Sequence, residues 1–223
     1  MPVGMTSPEL TTEEFLLLWA NFGLPLVSIV LIALLALLFS SYVKIVTVLG
    51  ILRAGLGAGS VPAIVVTSGL ALALSFFVMF PTLKGVTKAM HAEARQGASQ
   101  AEVLAAGVSR WKVFLEKHAD EATTDAFAKL AAKSDGDAPE QHVGSWRVLA
   151  PAFVVSELKR AFATGLSIFL PFLAIDLIVA NVLVAIGLVH FSPLIASLPL
   201  KLLLFVVVDG WGLITTNLVE TYV

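Results

Sequence analysis

The sequence predicts an all-α, membrane-type protein made of two long helical hairpins with a polar helical segment inserted between them. Three observations carry this. Of the 223 residues, 58% are hydrophobic and only 13% charged, with a mean hydropathy of +0.93, far from a water-soluble composition. Several apolar runs approach the roughly 20 residues needed to cross a hydrocarbon core. The charges are also concentrated: residues 84–160 hold 11 of the 14 Lys and Arg and 10 of the 16 Asp and Glu. The chain divides accordingly into an N-terminal segment (1–25), a first hydrophobic hairpin (26–83), a polar helical segment (84–146) and a second hairpin (147–223).

Each element has its own justification. The first residues carry Glu9, Glu13 and Glu14 without a Lys or Arg, so a basic signal-peptide start is lacking and the first apolar run is expected to be retained. Thr11 or Thr12 followed by Glu14 predicts a helix start, with Phe15 to Ala20 as a short helix before a break at Asn21 to Pro25. Leu26 to Val43 is uncharged and predicts the first long helix. Gly55, Gly57, Gly59 and Pro62 predict a turn, and Lys44 and Arg53 mark that end as cytoplasmic. Ala63 to Pro81 is the returning helix, closed by Pro81 and Lys84.

In the polar segment, Val103, Leu104, Val108, Trp111 and Leu115 recur at three- and four-residue spacing, and Phe127 and Leu130 continue the pattern. Two or three amphipathic helices are expected, with a loop at Ser134 to Pro139. The positive-inside rule weakens for loops beyond about 60 residues, so the shorter Lys44 to Arg53 stretch decides topology and places this segment outside the cytoplasm. The third apolar run follows within Pro151 to Leu188, then a Pro- and Ser-containing connection at His190 to Pro199, then the fourth run, Lys201 to Val219. Asp176 and Asp209 are expected to interrupt the third and fourth runs. Trp19 and Trp211 border hydrophobic runs, whereas Trp111 and Trp146 are expected to pack in the polar part.

Several chemistries find no support. There is no cysteine, and His91, His118, His142 and His190 never form an i, i+4 pair around a carboxylate, so no metal site is expected. The glycine cluster lacks a phosphate-loop Lys-Ser or Lys-Thr, and no G-x-S-x-G elbow occurs. An enzyme or a cofactor is therefore not expected, and a net charge of −2 argues against nucleic acid as a partner. What remains are charges in apolar surroundings. A carboxylate inside a membrane helix costs roughly 2.5–3.5 kcal/mol on insertion scales, so Asp176 and Asp209 need a reason. Either they relay protons or ions, as in a secondary transporter or channel, or they pair with Lys201 or backbone N–H groups to fix packing. Glu157 and Arg160, three residues apart, can pair on one helix face or lie in a solvated turn.

The stretches PAFVVSELKRAF, LPFLAIDLIVANVL and SLPLKLLLFVVVDGW resemble the FliP/YscR family (SctR in injectisomes), core export-apparatus proteins of type III secretion. SSYVKIVTVLGILRAGLG and SGLALALSFFVMFP resemble the same family's first hairpin, and YVKI is nearer the virulence branch. The resemblance covers residues 26–83 and 147–220. It implies a non-enzymatic homo-oligomeric subunit, put at five copies, in the bacterial inner membrane within the secretion basal body. These copies would wind with two smaller membrane subunits into a helical, conical pore for unfolded protein substrates. It further implies helices lifted out of the bilayer by assembly, with Asp176 and Asp209 packing rather than relaying. Family members carry methionines in the loop after the third run. Here Leu188, Val189, His190 and Phe191 stand there, so an apolar seal without Met is expected, to which His190 adds pH sensitivity.

Overall fold

The computed structural model describes Thr11, Glu13 and residues 19–57, 64–136 and 138–222. Most of the expected Phe15 to Ala20 helix, and Gly59 and Pro62 of the glycine-rich turn, lie outside these. All regular structure among the described residues is helical. The chain forms two units, Met1–Leu38 and Phe39–Val223.

In the first unit, a π-helical turn Trp19–Gly23 runs directly into α1, Leu24–Leu38. The break expected at Asn21 to Pro25 is thus helical, with Pro25 as the second residue of α1, where its fixed φ suits a helix. No residue of α1 is buried, and its apolar side chains point in all directions. A helix that is hydrophobic all round needs lipid or other protein around it.

The second unit begins with a departure from the expected long helix over 26–43. Helix α1 stops at Leu38, and α2 starts at Tyr42 and runs to Leu56. Ser40 and Ser41 are buried at this junction, where Ser41 Oγ lies 3.1 Å from Ser75 Oγ and Ser40 Oγ accepts from the Tyr42 N–H. Serines that bond locally compete with helix continuation. Residues 44–53, expected as the short cytoplasmic end of a hairpin, instead form the body of a core helix. Ile45, Val48, Leu49, Leu52 and Leu56 are all buried at three- and four-residue spacing. Lys44 is only 2% exposed, so it is a packing residue before it is a topology marker.

Helix α3 spans Ile64–Arg95 and passes through Pro81 without ending. Helices α4 (Gln100–His118) and α5 (Glu121–Asp135) follow, then a 3-10 turn at Pro139–Gln141. A reciprocal Ser99–Glu102 capping box opens α4, Asp120 accepts from the Thr123 N–H at the start of α5, and Gly136 at φ 79° closes α5. The amphipathic helices are present, but Leu104, Val108 and Leu130 are exposed. The buried stripe of α4 runs through Gly107, Phe114, Leu115 and His118, and Trp111 donates its indole N–H to the Phe39 carbonyl at 2.9 Å.

Helix α6, Trp146–Ala185, is 40 residues long and includes Pro151, Pro171 and Asp176. Asp176 therefore does not interrupt the third run. At 1.5 Å per residue α6 is about 60 Å long, about twice a hydrocarbon core. It packs along α2 in the same direction: Glu157 lies at the level of Lys44, Gly165 at Ile51, and Phe169 and Phe172 at Gly55. A Cβ on Gly165 would collide with Ile51, and one on Gly55 would sit 2.9 Å from Phe172, so both glycines let the helices approach. Helices α7 (Pro193–Val207) and α8 (Gly210–Glu220) return past α6, bent by 61° at Asp209. Among the described residues, three helices are long and apolar enough to cross a membrane, four if this bent pair is one span.

Candidate functional site

Two buried lysines, one near each end of α2, organise the second unit. Lys201 of α7 is fully buried, and its Nζ makes a 2.7 Å ion pair with Asp176 Oδ2 on α6. The same ammonium donates to the Gly55 carbonyl at 2.9 Å, in the last turn of α2. A cation there satisfies an orphan carbonyl and opposes the negative end of the helix dipole. Gly57, at φ 71°, then closes α2 in the left-handed conformation. Ser197 Oγ donates to the other carboxylate oxygen, Asp176 Oδ1, at 2.5 Å. One charge pair and one hydroxyl thus fasten α2, α6 and α7 together.

At the other end, Glu157 of α6 is fully buried. Its Oε1 accepts from Arg160 at 3.0 Å, and its Oε2 accepts from the Tyr222 hydroxyl. Arg160 also donates to the His118 carbonyl at 2.7 Å, which ties the end of α4 to α6. Lys44 donates to Thr221 Oγ1 at 2.7 Å and lies 4.8 Å from the centre of the Tyr222 ring, a cation–π distance. The His118 ring packs against both the Phe114 and Tyr222 rings, at 4.6 and 5.1 Å. Burial, with Glu157 beside it, pushes the Tyr222 phenol well above its ordinary range, so it stays a donor.

His118 is pushed down to about 4, first by burial and then by the charges of Lys117, Arg160 and Lys44, and it faces Tyr222 as well. Its ordinary value is 6.5, so the folded form binds a proton more weakly than the unfolded chain. The stability this confers is complete above pH 6.5 and is lost as pH falls from there toward 4. A thermal midpoint in detergent is expected to fall between pH 6.5 and 5, before most carboxylates titrate. His118→Phe is expected to flatten that stretch of the profile.

The remaining sequence-derived residues lie elsewhere. Asp209 is exposed, adopts φ 50° and ψ 54°, and caps α8 by accepting from the Gly212 N–H at 3.4 Å. It belongs to neither lysine cluster and marks the 61° break. Leu188, Val189, His190 and Phe191 form the turn between α6 and α7, all exposed. Gly187 at φ 82° ends α6 in a Schellman arrangement, with Leu188 N–H donating to the Leu183 carbonyl and Gly187 N–H to that of Val184. Pro193 opens α7 directly afterwards. The apolar side chains at this tip, about half exposed or more, have no covering element among the described residues. Lys44, His118, Ser197, Thr221 and Tyr222 were not singled out as site residues by spacing. A lysine inside YVKIVTV was the one available signal among them. No group of three or more His, Asp or Glu able to hold a metal occurs among the described residues.

A family model described as the FliP family matches residues 25–218. The chain belongs to the FliP family. Every charge of the two clusters lies inside the part that matches, and the neutral Thr221 and Tyr222 lie just beyond it. This FliP-family chain is 37% identical over 196 residues to virulence protein YscR of Salmonella typhimurium, covering 86% of this chain and 91% of that protein. It is 39% identical over 223 residues to flagellar biosynthetic protein FliP of Pectobacterium carotovorum, covering 100% and 83%. It is 39% identical over 204 residues to hypersensitivity response secretion protein HrcR of Ralstonia nicotianae, covering 88% and 94%. FliP relatives named for flagella and for secretion thus match at nearly equal identity, and YVKI alone does not assign a branch.

Proposed function

We propose that this FliP-family chain is a core subunit of a type III protein secretion export gate in the bacterial inner membrane. It acts as a conduit for unfolded proteins and performs no bond chemistry. The observation that carries the reading is the family match over residues 25–218, which runs from the first turn of α1 into the last turn of α8. Several copies, five by the family resemblance, wind with two smaller membrane subunits into a conical pore. Their contacts cover the apolar side chains that one copy leaves exposed along α6 and α7.

The electrostatics favour packing over a proton relay. Asp176 is held by Lys201 and Ser197, Glu157 by Arg160 and Tyr222, and Asp209 by a backbone N–H. Carboxylates that relay protons line an accessible path and change partners during turnover. Asp176 and Glu157 instead cross-link helices, with Glu157 fully buried and the Asp176 side chain 26% exposed, and Asp209 only caps α8. The α6–α7 turn is the seal: Leu188, Val189 and Phe191 from each copy form an apolar ring that closes the pore by excluding water. Replacing the three by Gly in the reconstituted complex is expected to raise ion leak several-fold without lowering subunit yield. An unchanged leak contradicts this assignment.

A further inference from the structure

Beside the second cluster, helices α3 and α4 enclose a cavity of about 280 Å³ whose cationic wall is made by Arg110 and Lys117. These two lie seven residues apart, two turns along one face of α4. Neither makes an ion pair among the described residues: Glu116 is engaged by Lys112 at 3.5 Å, and Asp120 by Thr123 and, at 3.9 Å, by Lys159. Among the described residues no carboxylate lines the cavity. Next to it lies a hollow of about 540 Å³ walled by Phe76, Phe77 and Phe80, each more than half exposed, and Lys117 and Tyr222 line both spaces.

The position along α3 matters as much as the composition. From Ile64 to Phe80 this membrane-length helix carries no charge, and Lys84 and Lys88 follow Pro81. The phenylalanine wall is therefore the last part of the apolar run, and the cations stand where a headgroup layer begins. A ligand that fills both spaces needs a fixed negative charge joined to a hydrocarbon chain. We propose that this paired cavity is a binding site for a phospholipid with a net negative headgroup. Its phosphate lies between Arg110 and Lys117, and an acyl chain lies against Phe76, Phe77 and Phe80. Basic pockets beside apolar helices recognise anionic headgroups by this combination of charge and hydrocarbon contact. The site is additional to the conduit role and requires only that α3 adjoin a bilayer.

The test is native mass spectrometry of the full chain in mild detergent, titrated with phosphatidylglycerol or with phosphatidylcholine. Phosphatidylglycerol adducts are expected to be retained preferentially, and Arg110→Gln with Lys117→Gln to reduce that retention roughly 20-fold, at about fivefold per cation. Phosphatidylcholine retention is expected to change little, and Lys129→Gln with Lys133→Gln on α5 to leave both lipids unaffected. Because Arg110 and Lys117 are exposed, the double variant keeps its fold, which its thermal midpoint checks. Equal retention of the two lipids overturns the proposal. So does unchanged phosphatidylglycerol retention in the Arg110/Lys117 variant, and if its oligomer mass falls instead, the cations serve contact with a second copy.

Discussion

Lys201→Met is expected to destabilise the second unit by about 3 kcal/mol. That is near the lower end of what breaking a buried ion pair costs, because the Asp176 side chain keeps some solvent contact. The loss has two parts. Asp176 is left with Ser197 as its one donor, and the Gly55 carbonyl loses the ammonium that caps α2. In an apolar environment neither group recovers a water partner cheaply. The double variant Asp176→Asn with Lys201→Met is expected to recover at least half of the loss, because the stranded charge is gone. Denaturant midpoints in detergent read both values. A single variant as stable as the parent removes the case for this pair as a fastener.

Glu157→Ala is expected to cost a similar amount, about 3 kcal/mol, for a different reason. It removes the carboxylate that faces Arg160 and the Tyr222 hydroxyl, and with it the nearest negative charge to Lys44. Tyr222→Phe, which deletes one hydrogen bond to a charged acceptor, is expected to cost about 1.5–3 kcal/mol. The two variants should also share a signature: amide hydrogen exchange in α8 and the turn after it rises, because the Tyr222 contact holds that end against α6. Unchanged protection of residues 210–222 in Glu157→Ala contradicts the role given to the cluster.

Much of this was legible in the sequence, and the reasons differ by element. Composition and run length were enough for a helical chain with helices apolar enough to cross a membrane, because those properties depend on average hydropathy and not on partners. Boundaries were harder. Leu26 to Val43 reads as one continuous apolar run, and the break at Ser40 and Ser41 depends on Ser75, 34 residues beyond Ser41, which no local pattern announces. Pro81 reads as a helix end, yet α3 continues through it to Arg95. Asp176 and Asp209 look alike in sequence, each a lone acid among aliphatics. One sits mid-helix paired with Lys201, and the other occupies a left-handed cap, a difference that the adjoining Gly210 hints at only weakly. Glu157 and Arg160 were visible as an i, i+3 pair. That Lys44, His118 and Tyr222 converge beside them was not, because those residues come from 39 to 113 positions away from Glu157.

These two clusters bear on the proposed function through rigidity. In the proposed pore, a subunit packed beside identical copies needs α6 held in register against α2, α7 and α8, which the two clusters are placed to do. Where lipid is the alternative neighbour, aliphatic contacts exchange one apolar surface for another and discriminate little between registers. Buried polar partners have no such substitute. A single copy is thus internally fastened while its outward apolar faces stay open.

The most direct measurement is the native mass of the full chain in mild detergent, taken alone and after co-expression with the small membrane proteins of its secretion apparatus. A multi-copy assembly that enlarges on co-expression and dissociates in Asp176→Asn is the expected result. A stable monomer under both conditions, with ion flux abolished by Asp176→Asn, would contradict the export-gate account and favour a carboxylate-based transporter.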